Sequence, residues 1–128
     1  MFEQFNARAQ QLAPVIVRVG VALVFLWFGG SQLNNATDWI GWLPSWVLKL
    51  PIAPTNFIYA NGAMEVLFGA MLLVGLYVRF AAFVLALHMA GIVISVGYNE
   101  IGVRDFGILC ATIAVWLYGP DVYSLYKK

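Results

Sequence analysis

Apolar blocks of about twenty residues alternate with short polar breaks along nearly the whole chain, a spacing that predicts membrane-crossing helices. Pro14 suits the first turn of a helix, and from Val15 to Leu33 only Arg18, Ser31 and Gln32 stand out as polar, so a first span is read over residues 14–33. A second span over 57–76 carries Asn61 and Glu65, with Gly62 and Gly69 allowing close helix contact. After a tight turn at Tyr77 to Arg79, a third span over 80–97 holds His88, Gly91 and Ser95. The fourth, over 104–119, is cut by Gly119 and Pro120 and is shorter than the roughly 20 residues usually needed.

The breaks have character of their own. Phe2, Phe5, Ala9 and Leu12 recur at helical spacing, and the first residues lack the basic start and cleavage site of a secretory signal. They predict a short amphipathic helix on the membrane surface. Residues 34–55 contain Asn34, Asn35, Pro44, Pro51, Pro54 and the tryptophans Trp39, Trp42 and Trp46, and read as a re-entrant or interfacial loop at headgroup depth. Tyr118, Tyr123 and Tyr126, followed by Lys127 and Lys128, read as an interfacial anchor. The fold class expected is an all-α integral membrane four-helix bundle with an N-terminal interfacial amphipathic helix, in one domain without internal repeat.

Composition strengthens the membrane reading. The chain has 128 residues, 62% hydrophobic and only 10% charged, where a water-soluble domain carries about 25% charged residues. Net charge is +1 without a basic tract, which argues against a nucleic-acid partner. Cys110 is the one cysteine, so an intrachain disulfide, a CxxC redox pair and a cysteine zinc site are excluded, and it reads as a small core residue. With four spans both termini share a side with Arg8, Arg18, Arg79, Lys127 and Lys128, against Lys49 and Arg104 opposite. Both termini are therefore expected in the cytoplasm, and the tryptophan loop outside.

A charge within a span needs a partner or a purpose. Arg18 lies about one turn inside the first span and is expected to snorkel to the headgroups. Glu65 is about 12 Å along the second helix, too deep for its short side chain to reach water. Asn61 lies one turn earlier on the same face. Gln32 ends the first helix on the outer side, Arg104 and Asp105 begin the fourth there, and His88 falls near the middle of the third. All can converge on the outer half of the bundle. They either tie the helices together by hydrogen bonds and an ion pair, or line an outward-opening polar pocket. Asp105 can alternatively cap its helix. A lone histidine cannot form a bis-histidine haem site, although an axial methionine stays open, and no metal site is expected.

Several stretches in order resemble the DoxX family: Arg18 followed by Gly20 and a Gly29-Gly30-Ser31-Gln32-Leu33 ending, N-G-A-M-E-x-x-x-G-A-x-L-L-x-G from Asn61 to Gly75, Arg79, and R-D-F-G-I-L from Arg104 to Leu109. The resemblance implies a small four-helix protein of a bacterial or archaeal plasma membrane. Relatives are linked to a thiosulfate:quinone oxidoreductase and to membrane complexes that handle oxidative stress. Many members end the first helix with G-x-x-K, where this chain has Gln32. The bundle is also similar to that of quinone-linked disulfide-forming enzymes, whose dithiol exchange one cysteine cannot perform alone.

The resulting expectation is a subunit of a quinone-linked membrane oxidoreductase system. Its outward pocket of Glu65, Asn61, His88, Arg104, Asp105 and Gln32 would take a quinone or similar small amphipathic molecule, with other membrane or soluble oxidoreductase subunits, or further copies of the chain, as partners. The alternative is a non-catalytic scaffold or assembly factor that holds a partner through its tryptophan loop. A transporter or channel has little support from four helices without an inverted repeat.

Overall fold

A computed structural model describes residues 1–127, so Lys128, counted above among the cytoplasmic charges and the anchor, lies outside the described residues. In chain order the elements are α1 (Phe2–Asn34), a 3-10 helix (Ala36–Trp42), α2 (Ser45–Leu48), α3 (Pro54–Val74), α4 (Val78–Val96) and α5 (Glu100–Tyr118). Helices α1, α3, α4 and α5 are each long and apolar enough to cross a membrane. The described residues form an all-α bundle without strands.

The expected surface helix is not a separate element. Residues 2–13 are the opening turns of α1, which runs 33 residues without a break, about 50 Å at 1.5 Å per residue. Pro14 sits inside this helix instead of starting it. A proline there leaves only the carbonyl four residues back without its donor, and that residue, Gln10, is exposed.

At the other end of the chain, α5 starts four residues before the expected position. Asn99 caps it, its side-chain oxygen accepting from the Gly102 backbone N–H at 2.9 Å, which lengthens the span to 19 residues. Asp105 therefore lies a turn inside α5, and the capping role considered for it falls to Asn99. The turn into α4 covers Gly75 to Tyr77, just ahead of the expected Tyr77 to Arg79. Gly75 takes the left-handed conformation (φ 80°), with Leu76 N–H bonding Met71 O at 2.8 Å.

Glycine sets the closest helix approach. A Cβ at Gly29 would lie 2.8 Å from Gly62 O, and one at Gly62 2.9 Å from Gly29 O, so α1 and α3 meet backbone to backbone. Phe25, Leu72, Ala81, Ala82, Leu85 and Val115 form the apolar centre where α1, α3, α4 and α5 meet. Between α1 and α3 lies the tryptophan segment, which is helical and docked. Trp39 donates to Ser31 Oγ at 3.2 Å and sets its ring against Phe28, while Trp46 meets Phe57 edge-on. Val47 is buried beneath it, whereas Trp42 and Trp46 stay exposed.

Two single residues depart from expectation. Cys110, expected in the core, is exposed on the outer side of α5. Arg18 does not snorkel: it is 3% exposed, and its guanidinium donates to Asp121 Oδ2 at 2.6 Å, Asp121 Oδ1 at 3.2 Å, Leu72 O at 2.7 Å and Leu73 O at 2.8 Å. The reason lies in the segment after α5. It folds back so that Leu125 N–H bonds Val74 O and Tyr126 N–H bonds Gly75 O, supplying donors to the carbonyls that end α3. Asp121 thereby lands beside Arg18 as a counter-charge. Burial pushes the Asp121 carboxyl up, but hydrogen bonds from Arg18 and the Tyr123 backbone, and the arginine charge, hold it below its ordinary value.

Candidate functional site

Spacing on α3 begins the site. Asn61 and Glu65 are one turn apart on the face that Gly62 brings against α1, so side chains from three helices can meet around one carboxylate. Gln32 of α1 donates to Glu65 Oε2 at 3.0 Å and to the Phe28 backbone carbonyl at 3.2 Å. Asn61 donates to Gln32 Oε1 at 2.7 Å and, more weakly, to Glu65 Oε1 at 3.5 Å. From α4, His88 Nε2 lies 2.7 Å from Glu65 Oε1.

The Glu65 side chain is 3% exposed and that of His88 17%. Among the described residues no buried side-chain nitrogen or oxygen lacks a partner. His88 Nδ1 makes no bond to them, so it lies at the accessible edge of the network. Chemically, the pair can exist as carboxylate with imidazolium or as carboxylic acid with neutral imidazole. Both forms are neutral overall, so a proton can cross the 2.7 Å contact without creating net charge at membrane depth.

The structure brings Glu65, Gln32, Asn61 and His88 together and leaves Arg104 and Asp105 apart from them. Arg104 bonds Asp105 Oδ1 through Nε at 3.3 Å and Nη2 at 3.1 Å, and its guanidinium lies 5.8 Å from the centre of the Phe28 ring. The position of Asp105 inside α5 explains the separation, since an arginine one residue away on the exposed side satisfies it locally. Phe28 touches both groups, its ring under Arg104 and its carbonyl on Gln32.

Nor is the cluster an open pocket. Two open cavities lie in the seam between α1 and α5: one of about 450 Å³ beside Gln10, Pro14, Arg18 and Tyr118, the other of about 470 Å³ beside Ile16, Gly20, Arg104 and Gly107. Of the six expected site residues only Arg104 lines either one. In the four-residue cluster Gln32 and Glu65 are buried, and Asn61 and His88 are half-buried. No group of three histidine, cysteine or acidic side chains suited to a metal ion occurs among the described residues.

Asp121 and Ser124 were not singled out as polar partners of a buried charge. The Ser124 hydroxyl accepts from Asp121 N–H at 3.0 Å and Asp121 Oδ1 accepts from Tyr123 N–H at 3.0 Å. Such Asp and Ser turns are readable locally, and the D-V-Y-S run after Gly119 and Pro120 offered that signal. The partner of Asp121, 103 residues away, had none.

With this geometry described, the comparisons can be set beside it. The DoxX family model matches residues 13–97, a stretch that holds Arg18, Gln32, Asn61, Glu65 and His88 and ends before Arg104 and Asp105. No curated protein and no solved structure matches the chain.

Proposed function

The chain belongs to the DoxX family, and on that footing we propose that Glu65 and His88 exchange protons with a quinone, or a similar small amphipathic carrier, within a membrane oxidoreductase system. The observation behind this reading is the 2.7 Å contact between His88 Nε2 and the buried Glu65 carboxylate. Gln32 and Asn61 hold the carboxylate in place while His88 Nδ1 stays open to the surroundings. Starting from an ionised Glu65 beside a neutral His88, Nδ1 takes one of the two protons of a quinol approaching from the lipid as the Nε2 proton moves to Glu65; the second proton leaves to the surroundings, and quinone reduction runs the same path backwards. The electrons are taken or supplied by a partner subunit. With both termini cytoplasmic, as the positive charges favour, the exchange site lies in the outer half of a bacterial or archaeal plasma membrane.

Purified protein and its Glu65→Gln variant, titrated with a short-chain quinone in detergent, test this. The substitution keeps the size of the side chain and removes its proton exchange. Loss of pH-linked quinone binding is the expected result; an unchanged titration overturns the assignment. The scaffold reading makes a different prediction. Replacing the exposed Trp42 and Trp46 by alanine would release a partner while Glu65→Gln left it bound.

A further inference from the structure

Some helical glycines of this bundle are accounted for by close packing and others are not. Gly29, Gly62 and Gly69 face a neighbouring helix closely, whereas a Cβ at Gly20 or Gly107 would meet no atom within 4 Å. A glycine inside a helix is destabilising relative to alanine unless its missing side chain is used. Gly30 and Gly91 are equally open, but Gly20 and Gly107 line one cavity, of about 470 Å³, in the seam between α1 and α5.

We propose that this cavity holds one acyl chain of a bilayer phospholipid, whose phosphate sits on Nη1 of Arg104. On α1 the lining runs from Ile16 to Val24 and on α5 from Arg104 to Ala111, lengths of about 12 Å and 10 Å. The hydrocarbon of one leaflet, half of a core about 30 Å thick, has a similar depth. Apart from Arg104 the lining is apolar, so water does not fill it stably. In a membrane the seam opens onto lipid chains.

Arg104 stands near the start of α5, at the end of the bundle where α1 finishes. Its Nε and Nη2 are engaged by Asp105, but Nη1 makes no bond, and the side chain is 56% exposed. Those two free N–H groups above an apolar slot complement a phosphate joined to an acyl chain, and arginine is well suited to phosphate.

Native mass spectrometry of the full chain, released from detergent with defined lipids, tests the assignment. Phosphatidylglycerol and phosphatidylethanolamine are expected to be retained, one per monomer, at least roughly tenfold better than diacylglycerol with the same chains, as loss of a charge-assisted hydrogen bond implies. Arg104→Gln should erase that preference and Arg104→Lys preserve most of it. Gly107→Leu should block retention of either lipid with helicity and melting unchanged, because the new side chain enters open space. Gly91→Leu, which also enters open space but on α4, should leave retention intact. Retention unaffected by Gly107→Leu, equal retention of diacylglycerol, or a dimer that Gly107→Leu dissociates would each overturn the proposal, the last by showing that a second copy fills the seam.

Discussion

Removing the charge of Asp121 is expected to cost about 3 kcal/mol, the lower end of the range for breaking one partner out of a buried ion pair. The value follows from what Asp121→Asn leaves behind. Arg18 is 3% exposed, and its Nε and Nη2 both donate to this carboxylate, at 2.6 and 3.2 Å. The amide would retain an oxygen for the Tyr123 N–H but supply no charge, and could turn its NH₂ towards the arginine. Two of the arginine's donors still reach Leu72 O and Leu73 O, which keeps the loss from the upper end of the range. Unfolding the variant by titrating sodium dodecyl sulfate into mixed micelles measures the loss. Hydrogen exchange provides a local readout, since the Leu125 and Tyr126 amides bonded to Val74 O and Gly75 O should lose protection first. A loss under about 1 kcal/mol, the magnitude of solvent-exposed pairs, with those amides still protected, would refute the argument.

The same clasp should show in the pH dependence of stability. Since Asp121 is held below its reference value of 3.8 in the fold, the unfolded chain binds more protons between the two values and stability rises with pH there. The contribution is complete above about 3.8 and is lost as pH falls through the folded value; acid titration of Asp121→Asn should be flatter over that window. Gly62→Ala should cost about 1 to 3 kcal/mol through overpacking, because its Cβ would lie 2.9 Å from Gly29 O and 3.0 Å from Gln32 Cβ. Gly30→Ala, which meets nothing within 4 Å, should cost nothing when both variants are unfolded by the same sodium dodecyl sulfate titration.

Those glycines also show where sequence reading succeeds and where it stops. Four spans were legible because lipid demands long apolar runs, and Asn61 and Glu65 could be placed on one face by helical spacing alone. Asn99 is hard to recognise as a cap because it lies in the polar connection between the third and fourth apolar runs. A cap is polar by function, so composition alone hides the start of α5. The fate of Arg18 was less accessible still. Within its own helix a membrane-edge arginine looks free to snorkel, and only the return of the chain over the end of α3 puts Asp121 against it. The continuity of α1 through Pro14 was hidden for a related reason: a proline is equally at home in a first turn and at a tolerated interior position.

At the polar cluster, fold and chemistry depend on the same atoms. Gln32 reaches Glu65 because Gly29 and Gly62 let two backbones touch, so a change that separates α1 from α3 removes the carboxylate's Oε2 donor as well as helix packing. A neutral amide gives Glu65 a hydrogen bond but no counter-charge, and Arg104, the other nearby candidate, is engaged with Asp105. His88, with Nε2 2.7 Å from Oε1, is therefore the ionisable side chain in direct contact with this carboxylate, so packing of α4 against α3 and the hydrogen-bonding of Glu65 stand or fall together.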